Sequence, residues 1–224
     1  MAKKSGPAGK SRAPLDRERV LRAAMALADA DGIGALSMRR LGRALGVEAM
    51  SLYNHVSNKD EILAGLVDII VADIEVPEGA GDWKEAMRRR AISMRRAFAL
   101  HPWALGLLES RKSAGPAALR YFDSVLGVLR RAGFSAAMAL RAFSILDSYA
   151  YGFVIQEKNL PSGSTAEVRE GVKRFFRQLP AGEYRYLAEI MVDVALKSGF
   201  DFEKEFEFGL GLLLETLESI RDEN

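Results

Sequence analysis

An all-α fold is what this sequence predicts, on three observations. Apolar residues recur at three-to-four spacing along almost the whole chain, no segment alternates with period two for long, and Gly and Pro fall between the periodic stretches. The first helix is expected from Leu15 or Asp16, with Val20, Leu21, Ala24, Leu27 and Ala28 on one face, and Gly32 stops it. Ser37 is placed to cap a short second helix whose apolar face is Leu41, Ala44 and Leu45, with Arg39, Arg40 and Arg43 turned elsewhere. Gly46 ends that helix. A third, from Ala49 to about His55, buries Leu52 and leaves Met50, Ser51, Asn54 and His55 outward, so its inward face is too small for a helix that only packs. Asn58-Lys59-Asp60-Glu61 has the form of a capping box and opens a fourth helix to about Ile74.

Pro77 to Gly81 then breaks the chain, which places a domain boundary across residues 75–81. Residues 1–14, rich in Lys, Gly, Ser and Pro, read as a disordered basic tail, 15–75 as a first domain and 82–224 as a larger second one. Helices of the second domain are expected near 82–100, 102–109, 116–132, 135–158, 165–179, 183–198 and 203–221. Pro102, Pro116, Gly133, Pro161, Gly163, Pro180 and Gly199 punctuate them.

The chain has 224 residues, 49% hydrophobic and 28% charged, enough for two units that each bury a core. It has no Cys, so disulfides and thiolate metal sites are excluded. The basic N-terminus lacks the apolar run of a secretory signal and nothing approaches a membrane span, so the expectation is a soluble cytoplasmic protein without a membrane partner. Charge is uneven. Residues 1–59 carry eleven Lys or Arg against five Asp or Glu, a net +6, which leaves −4 for the remainder of a chain whose total is +2. A basic first quarter ahead of an acidic body suits contact with a polyanion through the first part alone.

Catalytic material is scarce. The second domain has one His, His101 before Pro102, with no second His or Cys to build a zinc site or a nucleophile–base pair. Its carboxylates are scattered on polar faces, and no Gly-rich loop follows a strand. No catalytic residue, cofactor or metal is expected, and the chain is not read as an enzyme.

Two short helices joined by a glycine turn are the helix-turn-helix pattern, in which the second helix enters the major groove of DNA and the first crosses the backbone. The run GALSMRRLGRALGVEAMSLYNHVSNK over residues 34–59, with Leu52-Tyr53, His55 and Asn58-Lys59 ahead of an apolar helix, closely resembles the tetracycline-repressor (TetR) family throughout residues 15–75. That resemblance implies an N-terminal three-helix DNA-binding domain and a C-terminal helical ligand-binding and dimerisation domain. It implies that Ser37, Arg39 and Arg40 present the second helix to DNA, and that Ala49, Met50, Ser51, Asn54 and His55 face the groove. Tyr53 and Lys59 hold phosphates, Lys59 from a helix N-terminus. The residue types agree: Arg reads guanine, Asn reads adenine, and Ala or Met packs on thymine methyls.

Two segments are suited to a partner helix. Residues 140–155 are apolar nearly all round, and Phe206, Leu210, Leu213, Leu214 and Leu217 form a stripe near the C-terminus. By the resemblance they form a four-helix homodimer interface, with Leu140, Phe143, Asp147 and Ala150 contributed by the first segment. A dimer also matches the two-fold symmetry of a palindromic operator. The body resembles the tetracycline-repressor subclass more loosely. The positions that touch the drug there fall on Glu75, Arg90, Met94, Leu108 and Gln156, and none keeps the expected residue. A different small-molecule effector is therefore expected, in a pocket of Met94, Phe98, Trp103, Phe143 and Tyr149 with Arg90, Asp147 and Gln156 as polar groups. A DNA-binding architectural or partner-recruiting protein without an effector is the alternative.

Overall fold

A computed structural model describes residues 14–76, 81–110, 115–159, 165–178, 183–190, 192 and 201–222. Every described regular element is helical: α1 (Arg17–Asp31), a 3-10 turn (Ile33–Ala35), α2 (Met38–Leu45), α3 (Ala49–Leu52), α4 (Lys59–Ala72), α5 (Trp83–Leu100), α6 (Ala104–Ser110), α7 (Pro116–Arg131), α8 (Ala136–Asn159), α9 (Thr165–Gln178), α10 (Arg185–Ile190) and α11 (Phe202–Asp222). The chain forms two compact units, residues 1–67 and 68–224, and the division falls inside α4. No described helix is long and apolar enough to cross a membrane.

The smaller unit is closed by its caps. The Asp16 side chain accepts from the Arg19 N–H (2.7 Å) at the start of α1, and the Ser37 hydroxyl from the Arg40 N–H (3.3 Å) at the start of α2. Val20, Leu21, Ala24, Ala28, Leu41, Leu45, Leu52, Val56, Ile62 and Leu66 form the core. Each buried Val, Leu or Ile contributes roughly 1.5–3 kcal/mol, so a few such contacts suffice to hold three short helices that would not persist alone. At the start of α4, Asn58 Oδ1 accepts from the Glu61 N–H (2.8 Å), while Glu61 reaches back to the Ser57 N–H (2.7 Å) rather than to Asn58. Arg17 ties the same carboxylate to α1 (3.2 Å).

Two expectations for this unit are corrected. The third helix ends at Leu52, not near His55, because the Leu52 carbonyl accepts from both His55 (2.9 Å) and Val56 (3.0 Å) and turns the chain there. Gly42 rather than Ala44 lies on the buried face of α2, and Ala44 is exposed.

In the larger unit, α8 is the central helix and packs on α5, α7 and α11. Its inward stripe of Ala139, Ala142, Leu146, Ala150 and Val154 recurs every three or four residues, and the alanines permit close helix approach. Met87, Ala91, Met94 and Phe98 of α5 and Val125, Val128 and Leu129 of α7 meet it. Phe206, Leu210, Leu214 and Leu217 close the α11 side. The expected tail falls mostly outside the described residues, as do most of the 75–81 break and the end of the expected 183–198 helix.

Candidate functional site

The helix-turn-helix is set by two glycines, Gly42 inside α2 and Gly46 at the start of the turn. Gly46 sits in the left-handed region (φ 69°, ψ 37°) and lets the chain leave α2. A Cβ on Gly42 would stand 2.9 Å from the Val47 carbonyl oxygen and 3.1 Å from the Ala49 nitrogen, so α3 starts directly against the α2 backbone. The Val47 N–H donates to the Gly42 carbonyl (2.9 Å) and locks that approach. Gly42 was not singled out among the site residues; its signal was a glycine in mid-helix, which marks close backbone approach.

With Leu52 wholly buried, the remaining side chains of α3 and its turn have to face outward. Met50 is 75% exposed and Tyr53 45% exposed, Asn54 is exposed, and Ala49, Ser51 and His55 are half-buried. Lys59 is half-buried at the first position of α4. Arg39 is exposed and Ser37 is spent on its cap. Arg40 is drawn to Asp31 at the end of α1 (2.5 Å), an exposed pair that braces α2.

The second cluster lies between α5, α7 and α8. Arg90 is 1% exposed and pairs with Asp147, and its Nε donates to the Tyr121 hydroxyl (2.7 Å). The guanidinium carbon lies 5.1 Å from the Tyr121 ring centre and 5.3 Å from that of Phe143. Phe122 meets Phe143 edge to face at 5.4 Å, and Phe98 meets Tyr151 at 5.5 Å. Burial pushes the Asp147 carboxyl up, against the opposing pull of Arg90 and of a hydrogen bond from Tyr151. Burial also pushes the Tyr121 and Tyr151 phenols well up, so both stay protonated at neutral pH. A charge pair so far from water persists only when its hydrogen bonds are met. Here two phenols and two ring faces complete it.

The expected effector set divides. Arg90, Phe98, Phe143 and Asp147 come together, with Met94 wholly buried beside them on α5. Tyr149 does not join: it stacks on Phe206 (5.3 Å), donates to the Phe206 carbonyl (2.9 Å), and fills the space left by Gly209. Gln156 is exposed, and Trp103 packs beside His101 (5.9 Å) between α5 and α6. Helical geometry explains the split, since residues 147 and 151 share a face of α8 while 149 points nearly opposite. Tyr121, Phe122 and Tyr151 complete the cluster and were not anticipated; the four-residue step from Asp147 to Tyr151 was the available signal.

The dimer set is also redistributed. Phe206, Leu210, Leu214 and Leu217 are buried where α11 packs on α8 of the same chain, Ala150 is buried on α8, and Asp147 is buried in the Arg90 cluster. Leu213 is half-buried, as is Phe143 in the Arg90 cluster, and Leu140 is 57% exposed. The outward apolar groups are Leu140, Ile145 and Ile155 on α8 and Phe208 and Leu212 on α11, beside the small Ser144, Ser148 and Gly152. Among the described residues, no group of three or more His, Cys, Asp or Glu could hold a metal ion.

Comparison with known proteins agrees with both regions. Residues 20–66 match the family described as bacterial regulatory proteins, tetR family, and residues 77–221 match the tetracyclin repressor-like C-terminal domain. The HTH-type transcriptional repressor DrrR1 of Streptomyces coeruleorubidus is 34% identical over 213 residues, covering 91% of this chain and 77% of that protein. The class C tetracycline repressor of Escherichia coli is 27% identical over 210 residues, 92% of each chain. The crystal structure of the Streptomyces coelicolor TetR family protein ActR in complex with actinorhodin aligns with a TM-score of 0.74 at 28% identity, covering 93% of this chain and 99% of that one. The chain belongs to the tetR family of bacterial regulatory proteins and is a helix-turn-helix transcriptional regulator.

Proposed function

We propose that this regulator is a homodimeric repressor that reads a pseudo-palindromic operator through residues 37–59 and is released by a small molecule bound against the Arg90 cluster. The outward face of α3 carries the first half: Met50 is 75% exposed beside Asn54 and Tyr53, in a unit that has no packing use for it. Ala49, Met50, Ser51, Asn54 and His55 face the groove. Arg39 meets the edge of the site, while Tyr53 and Lys59 hold phosphates on either side. Ser37 and Arg40 serve by fixing α2. The outward faces of α8 and α11 form the dimer contact.

For the effector, the ActR complex with actinorhodin supports a small-molecule ligand, and the Arg90 cluster supplies the chemistry. Ring faces around a satisfied ion pair favour a largely apolar, aromatic molecule with hydrogen-bonding oxygens. A magnesium–tetracycline chelate finds Leu108 and Gln156 where, by the resemblance, it needs a His and a nearby carboxylate. Fluorescence titration with magnesium–tetracycline is therefore expected to show no binding at micromolar concentration. Actinorhodin is the first positive probe, and its binding should weaken in Arg90→Met. Tight magnesium–tetracycline binding, or actinorhodin binding indifferent to Arg90→Met, would contradict the proposed effector site.

A further inference from the structure

Glu48 is the one acidic residue in the stretch 37–59, among the cations Arg39, Arg40, Arg43 and Lys59. It stands at the N-cap of α3, a position whose side chain usually accepts from the first free N–H groups of the helix. Asp16, Ser37 and Asn58 do so at the starts of α1, α2 and α4, at 2.7, 3.3 and 2.8 Å. Glu48 makes no such bond. Other acids of the smaller unit are held by cations: Glu18 by Arg22 (3.1 Å), Asp31 by Arg40 and Glu61 by Arg17. Glu48 is exposed, and its carboxylate has no hydrogen bond or ion pair with the described residues.

Its backbone is fixed all the same. The Val47 N–H donates to the Gly42 carbonyl and the Ser51 N–H to the Glu48 carbonyl, both at 2.9 Å. Ala49 follows directly against the α2 backbone, and Met50, two residues beyond Glu48, is 75% exposed. A solvated carboxylate is therefore held at a set place beside the residues proposed to face the groove. The fold itself gains nothing from it, since Ser or Asp would cap α3 better.

DNA offers a carboxylate few places. Phosphates repel it, as do the major-groove acceptors of guanine, adenine and thymine. The donors there are the N4 amino group of cytosine and the N6 amino group of adenine, and adenine sets its N7 acceptor beside the donor. Cytosine N4 is the group that a lone carboxylate fits.

We propose that Glu48 is a specificity-determining residue, which accepts a hydrogen bond from a cytosine N4 amino group in each half-site and repels DNA that lacks one there. The role rests on the reading of DNA by residues 37–59 proposed above. It is the reverse of that of Lys59: Glu48 lowers affinity for DNA in general and raises the preference for the operator.

The test is selection of bound duplexes from a random-sequence DNA library by the full-length protein, with wild type, Glu48→Ala, Glu48→Gln and Asn54→Ala. Wild type should select a C·G pair at one symmetric position of each half-site by about tenfold or more. Glu48→Ala should accept all four bases there and keep the rest of the motif, while Glu48→Gln should turn the choice toward adenine, whose N6 and N7 match an amide. Anisotropy on a duplex lacking the selected motif gives a second readout. Both Glu48 variants should bind it about fivefold more tightly than wild type at low salt, a gap that closes as salt is raised. A substitution that merely damages α3 would weaken this binding instead. A Glu48→Ala motif identical to wild type overturns the proposal, as does binding to the unselected duplex that fails to tighten. If Asn54→Ala alters the motif and Glu48→Ala does not, the role of Glu48 alone is lost; if neither alters it, the DNA reading by residues 37–59 falls as well.

Discussion

Gly42 shows how one residue sets the geometry of a recognition helix. Replacing a helical glycine by alanine ordinarily gains about 0.5–1 kcal/mol. Here the new methyl meets backbone atoms of Val47 and Ala49, which cannot rotate away, and overpacking costs about 1–3 kcal/mol. The clash wins, so Gly42→Ala is expected to destabilise the smaller unit and weaken DNA binding together, measured by thermal unfolding and by anisotropy on operator DNA. Glu61 gives a pH-dependent counterpart. The Ser57 N–H and then Arg17 hold its carboxyl below the usual glutamate range, so its contribution is fully present above that range and is lost as pH falls through the lowered value. The gap in melting temperature between wild type and Glu61→Gln should therefore shrink as pH drops from 6 toward the Glu61 value; a gap constant with pH would show that the charge plays no part. Caps such as Ser37 and Asn58 were legible in the sequence because they act on residues three places away. The Gly42 contact was signalled only by a glycine in mid-helix, because the turn that excludes a Cβ there is brought in by the chain path and not named by the local pattern.

Among the elements, α8 and α11 carried the strongest sequence signal and the least specific one. Periodicity showed that both needed covering but not by what. The answer is each other on one side: Phe206, Leu210, Leu214 and Leu217 face α8 of the same chain. The faces proposed for the partner are those left over, Phe208 and Leu212 on α11 and the small residues of α8. Charge placed on the two faces should therefore act differently. Leu212→Asp desolvates a charge only on association and is expected to yield folded monomer with wild-type helicity by light scattering and circular dichroism. Leu214→Asp buries the charge in the core and should unfold the larger unit by several kcal/mol. Leu212→Asp that remains a dimer would remove α11 from the interface. The same 100° per residue accounts for the division of the expected pocket, where Tyr149 followed α11 while Asp147 and Tyr151 stayed with Arg90.

At the scale of the molecule, the helical class, the order of the helices and the helix-turn-helix were all readable, since each rests on period, caps and glycine placement within short windows. The buried Arg90–Asp147 pair was readable only as two separate polar groups, because residues 57 positions apart meet through helix packing. The basic first quarter and the acidic remainder agree with a chain that meets DNA at one end. Phosphate contacts govern affinity and its salt dependence, whereas base contacts govern sequence preference. The account is therefore tested most directly by footprinting and salt-dependent isotherms on DNA upstream of the regulator's own gene, with wild type, Lys59→Ala and Asn54→Ala. It predicts a protected pseudo-palindrome whose half-sites lie about one helical turn apart, roughly 34 Å. Lys59→Ala should weaken binding to every sequence alike and lower the salt slope by about one, while Asn54→Ala should cost roughly 1–3 kcal/mol on the operator and relax preference at particular base pairs. An unchanged salt slope for Lys59→Ala together with unchanged base preference for Asn54→Ala would contradict DNA reading by residues 37–59.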